Sequence, residues 1–230
     1  MKQPEVDYRS FHLRKRNDPR FSHLKLLLGW VVYLVLYLLT ERLIPAEDCT
    51  SIHIPLDDWI PFCEWFLIPY VLWYPMIVFS LGYFLLYRID AFRRLQTAFI
   101  LIQVTASLIY ILYPSRQDLR PVIFPRDNLL TQGVALLYRV DTNTGVCPSL
   151  HVALSIAMAS AWLKERQVPR LWKGALVALA MLICLSTMFI KQHSAGDFLA
   201  ALPVCLMAEV LVYGKAYWLP KFSAYSSHTC

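Results

Sequence analysis

Residues 172–213 read WKGALVALAMLICLSTMFIKQHSAGDFLAALPVCLMAEVLVY, two apolar runs joined by one short polar junction at 191–197. Each run approaches the roughly 20 residues, at about 1.5 Å apiece, that an α-helix needs to cross the hydrocarbon core of a bilayer. The junction carries Lys191, His193 and Asp197 at the shared end of both runs. An apolar helical hairpin with a polar tip is a membrane pattern, and the rest of the chain repeats it.

Working outward, comparable segments lie at about 26–44, 66–87, 95–113 and 147–163, which with 172–191 and 196–213 predict six spans. The fold class expected is all-α, a polytopic six-transmembrane-helix bundle. Composition agrees: 230 residues that are 57% hydrophobic, 14% aromatic and only 17% charged suit no ordinary soluble domain. Six spans use about 120 residues and leave no room for a separate soluble domain. The 7 Gly and 14 Pro follow no period, which removes collagen-like and low-complexity readings, and no internal repeat is visible. The predicted organisation is a basic tail at 1–25, a six-span unit at 26–218 and a second tail at 219–230. The first 22 residues, with Arg14, Lys15, Arg16 and Arg20, are too charged for the apolar part of a signal peptide. The run after them is expected to stay as an anchor.

A net charge of +6 and a pI near 9.0 raise nucleic acid as a partner, but the distribution of the charge answers otherwise. Seven Lys and Arg precede the first span, three lie between the second and third, four between the fourth and fifth, and two after the sixth. The remaining six (Arg42, Arg116, Arg120, Arg126, Arg139 and Lys191) fall on the opposite side. Basic residues collect on the cytoplasmic face, so both termini are expected to be cytoplasmic and the 191–197 junction to face away from the cytoplasm. The compact chain points to a bacterial cytoplasmic membrane. The partners expected are therefore the lipid bilayer, including anionic headgroups, and no nucleic acid; the sequence names no protein partner.

Cys49 and Cys63 fall in an interfacial stretch, about 45–65, where Asp57, Asp58, Trp59 and Trp65 alternate with prolines. They are either a disulfide pair or, more simply, two small apolar residues at an interface. No Cys/His spacing matches a metal site.

An ionisable side chain within a span costs about 2.5–3.5 kcal/mol at the bilayer centre, so polar groups kept at span ends need a reason. Three segments bring such groups to one face: 113–121, with Arg116 and Arg120; 147–151, with Ser149, Leu150 and His151; and 186–197, with Ser186, Lys191, His193 and Asp197. Pro148 is placed as a first-turn helix residue, which leaves the amides of Ser149 and Leu150 pointing outward as an anion site. Arg116 and Arg120 add forks that match phosphate oxygens. His193 and Asp197 are four apart, so the carboxylate holds the second nitrogen of the imidazole on one helical turn. His151 then stands opposite as a general acid. Taken singly, each feature has a plainer reading: a structural histidine, lipid-bound arginines, solvated loop charges. His12, His23, His53 and His228 are expected to be structural. Glu209 is expected to pair within the bundle or line a cavity. The 122–146 loop, with Arg126 and Arg139, is expected to be either a lid that selects headgroups or a mobile surface loop, with Asp127, Asp141 and Asn143 as headgroup contacts.

These segments resemble the type 2 phosphatidic acid phosphatase superfamily, whose pattern is Lys-x6-Arg-Pro, Pro-Ser-Gly-His and Ser-Arg-x5-His-x3-Asp. Here they stand as Arg120-Pro121, Pro148-Ser149-Leu150-His151, and Ser186-Thr187 with His193 and Asp197 at the family's spacing. The resemblance implies that His193 is the nucleophile, forming a phosphohistidine, that Asp197 orients it, and that His151 protonates the leaving group and then activates the acceptor. It further implies that Arg120, Ser149 and Ser186 hold the phosphoryl oxygens, with no metal and no cofactor. Three positions depart from the pattern: Tyr113 replaces the Lys, Leu150 the Gly and Thr187 the Arg. Arg116, three residues after Tyr113, and Lys191, one helical turn after Thr187, are the expected replacements for the two lost cations. The function implied first is hydrolysis of a lipid phosphate monoester or diphosphate. The alternative is the inositol phosphorylceramide and sphingomyelin synthase branch, which moves a phospho-headgroup to a lipid alcohol. A lipid carrier without enzymatic activity explains the spans but not the placed His and His-x-x-x-Asp.

Overall fold

The computed structural model describes residues 3–12 and 18–221; the expectations for Arg14, Lys15, Arg16, His228 and most of the 219–230 tail lie outside the described residues. The protein is mostly helical, at 73%. A 3-10 segment, Pro19–Leu27, leads into α1 (Leu28–Leu43), followed by the short α2 (Leu56–Trp59), then α3 (Leu67–Tyr87), α4 (Ile89–Leu112), α5 (Leu129–Val140), α6 (Leu150–Lys164), α7 (Arg170–Phe189) and α8 (Ala195–Tyr213). Two strands of two residues, β1 (Thr50–Ser51) and β2 (Ser115–Arg116), pair in parallel with Thr50 opposite Ser115.

The ends of these helices follow their capping chemistry. Ser194 accepts from the Gly196 amide and Asp197 answers at the Ser194 amide, a reciprocal box that starts α8. Asn128 and Thr131 form the same box at α5, and Ser149 caps α6. Helix α5 corrects the loop expected at 122–146. Its cap at Asn128 and its buried Thr131 and Val134 were legible signals of a short amphipathic helix.

Among the described residues, five helical stretches are long and apolar enough to cross a membrane: Pro19–Leu43, Glu64–Tyr87, Ile89–Leu112, Arg170–Phe189 and Ala195–Lys221. The sixth expected span, α6, is apolar but only 15 residues long, about 22 Å against a hydrocarbon thickness of roughly 30 Å. Its surroundings explain its length. It packs against α3, α4, α7 and α8, buries Val152, Ala153, Leu154, Met158 and Trp162, and so meets protein where the other helices present apolar surface. The Trp162 indole donates to Ser80 Oγ at 2.9 Å and lies in the Phe84 and Phe92 core. Helix α1 buries no side chain and packs chiefly on α4, leaving space between itself and α3.

At the end of the bundle opposite 191–197, Glu209 pairs with Lys164 at 2.6 Å and accepts from Ser160 and Trp218, as expected for pairing within the bundle. The described part of the N-terminal tail is docked at that same end. The Glu5 amide donates to Leu86 O, the Glu5 carboxylate accepts from the Ile89 amide, and the Tyr8 hydroxyl meets His23 Nε2 at 2.7 Å. Cys49 and Cys63 are both free thiols.

Candidate active site

The helix α7 ends at Phe189, and the chain reverses at Lys191, which takes a left-handed backbone with φ 56°. The carbonyl of Thr187 accepts from the amides of both Gln192 and His193 at 3.0 Å and fixes the turn. His193 is thereby presented next to the first turn of α8, where Asp197 Oδ2 lies 3.3 Å from its Nδ1 and accepts from the Ser194 amide at 2.9 Å. With Nδ1 against the carboxylate, Nε2 is the nitrogen left for chemistry. Asp197 is fully buried, and the Cys147 thiol near it is pushed up to about 12 by burial and by that carboxylate. Both effects favour the neutral thiol of Cys147.

His151 sits in the first turn of α6, between two rings of α3: Tyr70, stacked at 4.4 Å, and Trp73, at 4.1 Å. Its ring centre is 5.8 Å from that of His193. His151 Nε2 is buried and has no hydrogen-bond partner. Both histidines line one cavity of about 640 Å³, whose other walls include Trp30, Tyr33 and Tyr37 of α1 and Trp73, Tyr74 and Leu81 of α3. Such a volume is within the 300–1,000 Å³ usual for small-molecule sites. Asp141, at the end of α5, also lines it; its Oδ2 accepts from the Tyr70 hydroxyl at 2.7 Å and from Gln192 Nε2 at 2.9 Å.

The remaining predicted site residues are placed differently. Arg120 turns its fork onto main-chain carbonyls, Tyr138 O at 3.0 Å and Asp141 O at 2.7 Å, and lies over the Tyr138 ring. Burial holds its guanidinium below the ordinary value, and its Nε has no partner. Arg116, on β2, reaches Ala46 O at 2.8 Å and Asp118 at 3.2 Å. Lys191 donates to Asp57 O at 3.0 Å and Ile60 O at 2.5 Å, and burial lowers its ammonium's pKa. Neither proposed replacement cation lines the histidine cavity. Ser186 Oγ donates back into its own helix, to Ile183 O at 2.6 Å. The expectation for Pro148 is corrected: α6 begins at Leu150, Ser149 is its cap, and the Ser149 amide donates to Asp197 O at 3.1 Å rather than pointing outward. Leu150 does line the cavity.

Neither a family model, nor a curated protein, nor a solved structure matches the chain.

The reading of function therefore rests on the geometry, which includes residues that the sequence did not single out. Asp57 of α2 is buried against the α7–α8 junction, where Oδ1 accepts from the Ala195 amide at 2.7 Å and Oδ2 from Ser194 Oγ at 2.6 Å. With Lys191 gripping the α2 carbonyls from the other side, this small helix clamps the turn that carries His193. Tyr70 and Trp73 fix the His151 ring in the same way from α3. Apart from the Ile54 amide, three residues back, the partners of Asp57 lie more than 130 residues away, so its spacing carried no signal of this role.

Proposed function

We propose that the chain is a six-span membrane enzyme that transfers a phosphoryl group from a lipid through a phosphohistidine on His193, with water as the first acceptor: a lipid phosphohydrolase. The observation that carries this reading is the pair of imidazoles 5.8 Å apart at the head of an apolar cavity, one held by a carboxylate and the other with an unpartnered nitrogen. Leaving a buried ring nitrogen without a hydrogen bond costs about 1–3 kcal/mol, and a leaving-group oxygen beside His151 Nε2 supplies the partner. In this scheme His193 attacks phosphorus, Asp197 stabilises the imidazolium that forms, and His151 protonates the departing oxygen and later takes the proton of the acceptor. Trp30, Tyr33 and Tyr37 face α3 across the cavity, so lipid tails stay in apolar surroundings while the phosphate reaches the histidines. The basic tally supports cytoplasmic termini with the site at the opposite face, and the compact chain supports a bacterial cytoplasmic membrane. Here α6 counts as the sixth span, short because other helices surround it.

Transfer to a lipid alcohol is the second reading, and one observation favours it: a carboxylate, Asp141, lines the cavity where the phosphatase pattern expects cations. A mass balance on purified protein in mixed micelles with EDTA separates the readings. Phosphatidic acid and phospholipids are offered with diacylglycerol and ceramide, and His193→Ala is the control. Released phosphate or headgroup phosphate equal to the lipid consumed means hydrolysis. A new headgroup-bearing lipid without matching release means transfer, and no product from any combination removes the enzyme reading.

The clamp at Asp57 gives a further expectation. Asp57→Ala leaves the Ala195 amide and the Ser194 hydroxyl without their acceptor and frees the turn. Misplacing a catalytic group by 1 Å can cost about 100-fold. Turnover should fall at least tenfold with KM within a few-fold of wild type, in initial rates on the lipid identified above. Unchanged kcat would show that α2 plays no part in positioning His193.

A further inference from the structure

Asp141 is the charged residue of the cavity wall, apart from the two histidines; no Lys or Arg is among the lining residues. The cations nearest to the expected clamp are all engaged by main-chain carbonyls: Arg116 by Ala46, Arg120 by Tyr138 and Asp141, and Lys191 by Asp57 and Ile60. The carboxylate itself is firmly placed. Tyr70 and Gln192 both donate to Oδ2, and a carboxylate keeps capacity for further donors on its other oxygen. Thr142 and Thr144 line the wall beside it. A phosphate monoester carries about −1.5 to −2 at neutral pH, because its second ionisation lies near 6, whereas a phosphodiester stays at −1. A wall with a carboxylate and no cation repels the first far more than the second. Hydroxyls of a headgroup, in contrast, find an acceptor there.

We propose that Asp141 is a specificity-determining residue that selects a monoanionic phosphodiester lipid with a hydroxyl-bearing headgroup against a dianionic phosphomonoester. This deepens, and rests on, the phosphohistidine reading above. It replaces the monoester or diphosphate substrate implied by the family pattern with a phosphodiester. The step balances as follows. His193 Nε2 forms a bond to phosphorus, the bond from phosphorus to the diacylglycerol oxygen breaks, and its electron pair stays on that oxygen, which takes a proton from His151. Diacylglycerol leaves, and the headgroup phosphate remains on His193. An acceptor hydroxyl, from water or a lipid alcohol, then attacks phosphorus and gives its proton to His151, and the N–P electron pair returns to Nε2.

The test compares phosphatidylglycerol with phosphatidic acid, matched in acyl chains, in mixed micelles with wild type, Asp141→Asn and His193→Ala. Wild type should favour phosphatidylglycerol in kcat/KM by at least tenfold. Asp141→Asn, which keeps the shape and removes the charge, should move that ratio at least tenfold toward phosphatidic acid, and His193→Ala should turn over neither. A wild-type preference for phosphatidic acid overturns the inference even if the variant does not fold, and so does an Asp141→Asn enzyme that loses both activities equally; both leave the phosphohistidine reading intact. Turnover that survives in His193→Ala, or none of either lipid by wild type, overturns that reading and the inference with it.

Discussion

His193→Ala should lower turnover at least 1,000-fold and abolish any covalent phosphoenzyme. A nucleophile that forms a covalent intermediate divides one difficult displacement into two easier ones, and no neighbour can take its place here. His151 is wedged between Tyr70 and Trp73, and Cys147 is held as a thiol. The substitution should spare the fold. The turn is held by the main-chain bonds of residues 192 and 193 to Thr187 O, and α8 keeps its Ser194–Asp197 box. The measurement is initial-rate turnover together with alkaline-quench trapping of labelled lipid phosphate, since a phosphoramidate bond is labile to acid and stable to alkali. Circular dichroism and thermal melting serve as folding controls. A folded variant with a tenth or more of wild-type turnover would remove His193 as nucleophile, and with it the proposed function.

The apolar architecture was legible because a run of about 20 hydrophobic residues is a local signal that tertiary context seldom overrides. The segments expected at 66–87 and 196–213 lie over α3 and α8, starting and ending within a residue or two of them. The pairing of His193 with Asp197 was legible for the same reason, since four residues on one turn is local geometry. Local spacing does not locate the cations. A helix continued past Thr187 would carry Lys191 one turn on, but α7 stops at Phe189 and the backbone turns left-handed at Lys191, so its side chain swings to α2. Arg116 is three residues from Tyr113 along the chain, yet β2 pairs with β1 and carries the guanidinium across to Ala46. Pro148 suits a first turn by residue type alone, whereas Ser149 is the better cap and α6 starts at Leu150, two residues after Pro148. Asp57 and Asp141 are useful because of what distant segments bring to them. Tyr70 lies 71 residues from Asp141, and Ser194 lies 137 from Asp57, separations at which spacing in sequence carries no information.

Asp197→Asn should lower kcat by roughly 100- to 10,000-fold, the range in which an orienting carboxylate of a catalytic histidine acts. Oδ2 holds two donors at once, His193 Nδ1–H and the Ser194 amide. An asparagine has one acceptor oxygen. If that oxygen takes the place of Oδ2 it still accepts from both donors, but as a neutral amide it holds the imidazole N–H less strongly than a carboxylate does. If the NH2 group turns to the imidazole, Nδ1 becomes an acceptor and the proton moves to Nε2, which removes the lone pair that attacks phosphorus. Both outcomes also withdraw the negative charge that stabilises the imidazolium. The 3.3 Å separation is long for a charge-assisted bond, as is common before substrate is bound, and should tighten as charge develops on the ring. The structural cost is smaller and separable. Loss of a carboxylate at the start of α8 weakens a favourable helix-dipole contact by about 0.3–1 kcal/mol, so the melting midpoint should fall only modestly while kcat collapses. KM should stay within a few-fold of wild type, because Asp197 lies behind the imidazole and is fully buried away from the cavity. A folded Asp197→Asn enzyme whose kcat stays within threefold of wild type would reduce Asp197 to a helix cap and leave His193 without an orienting partner.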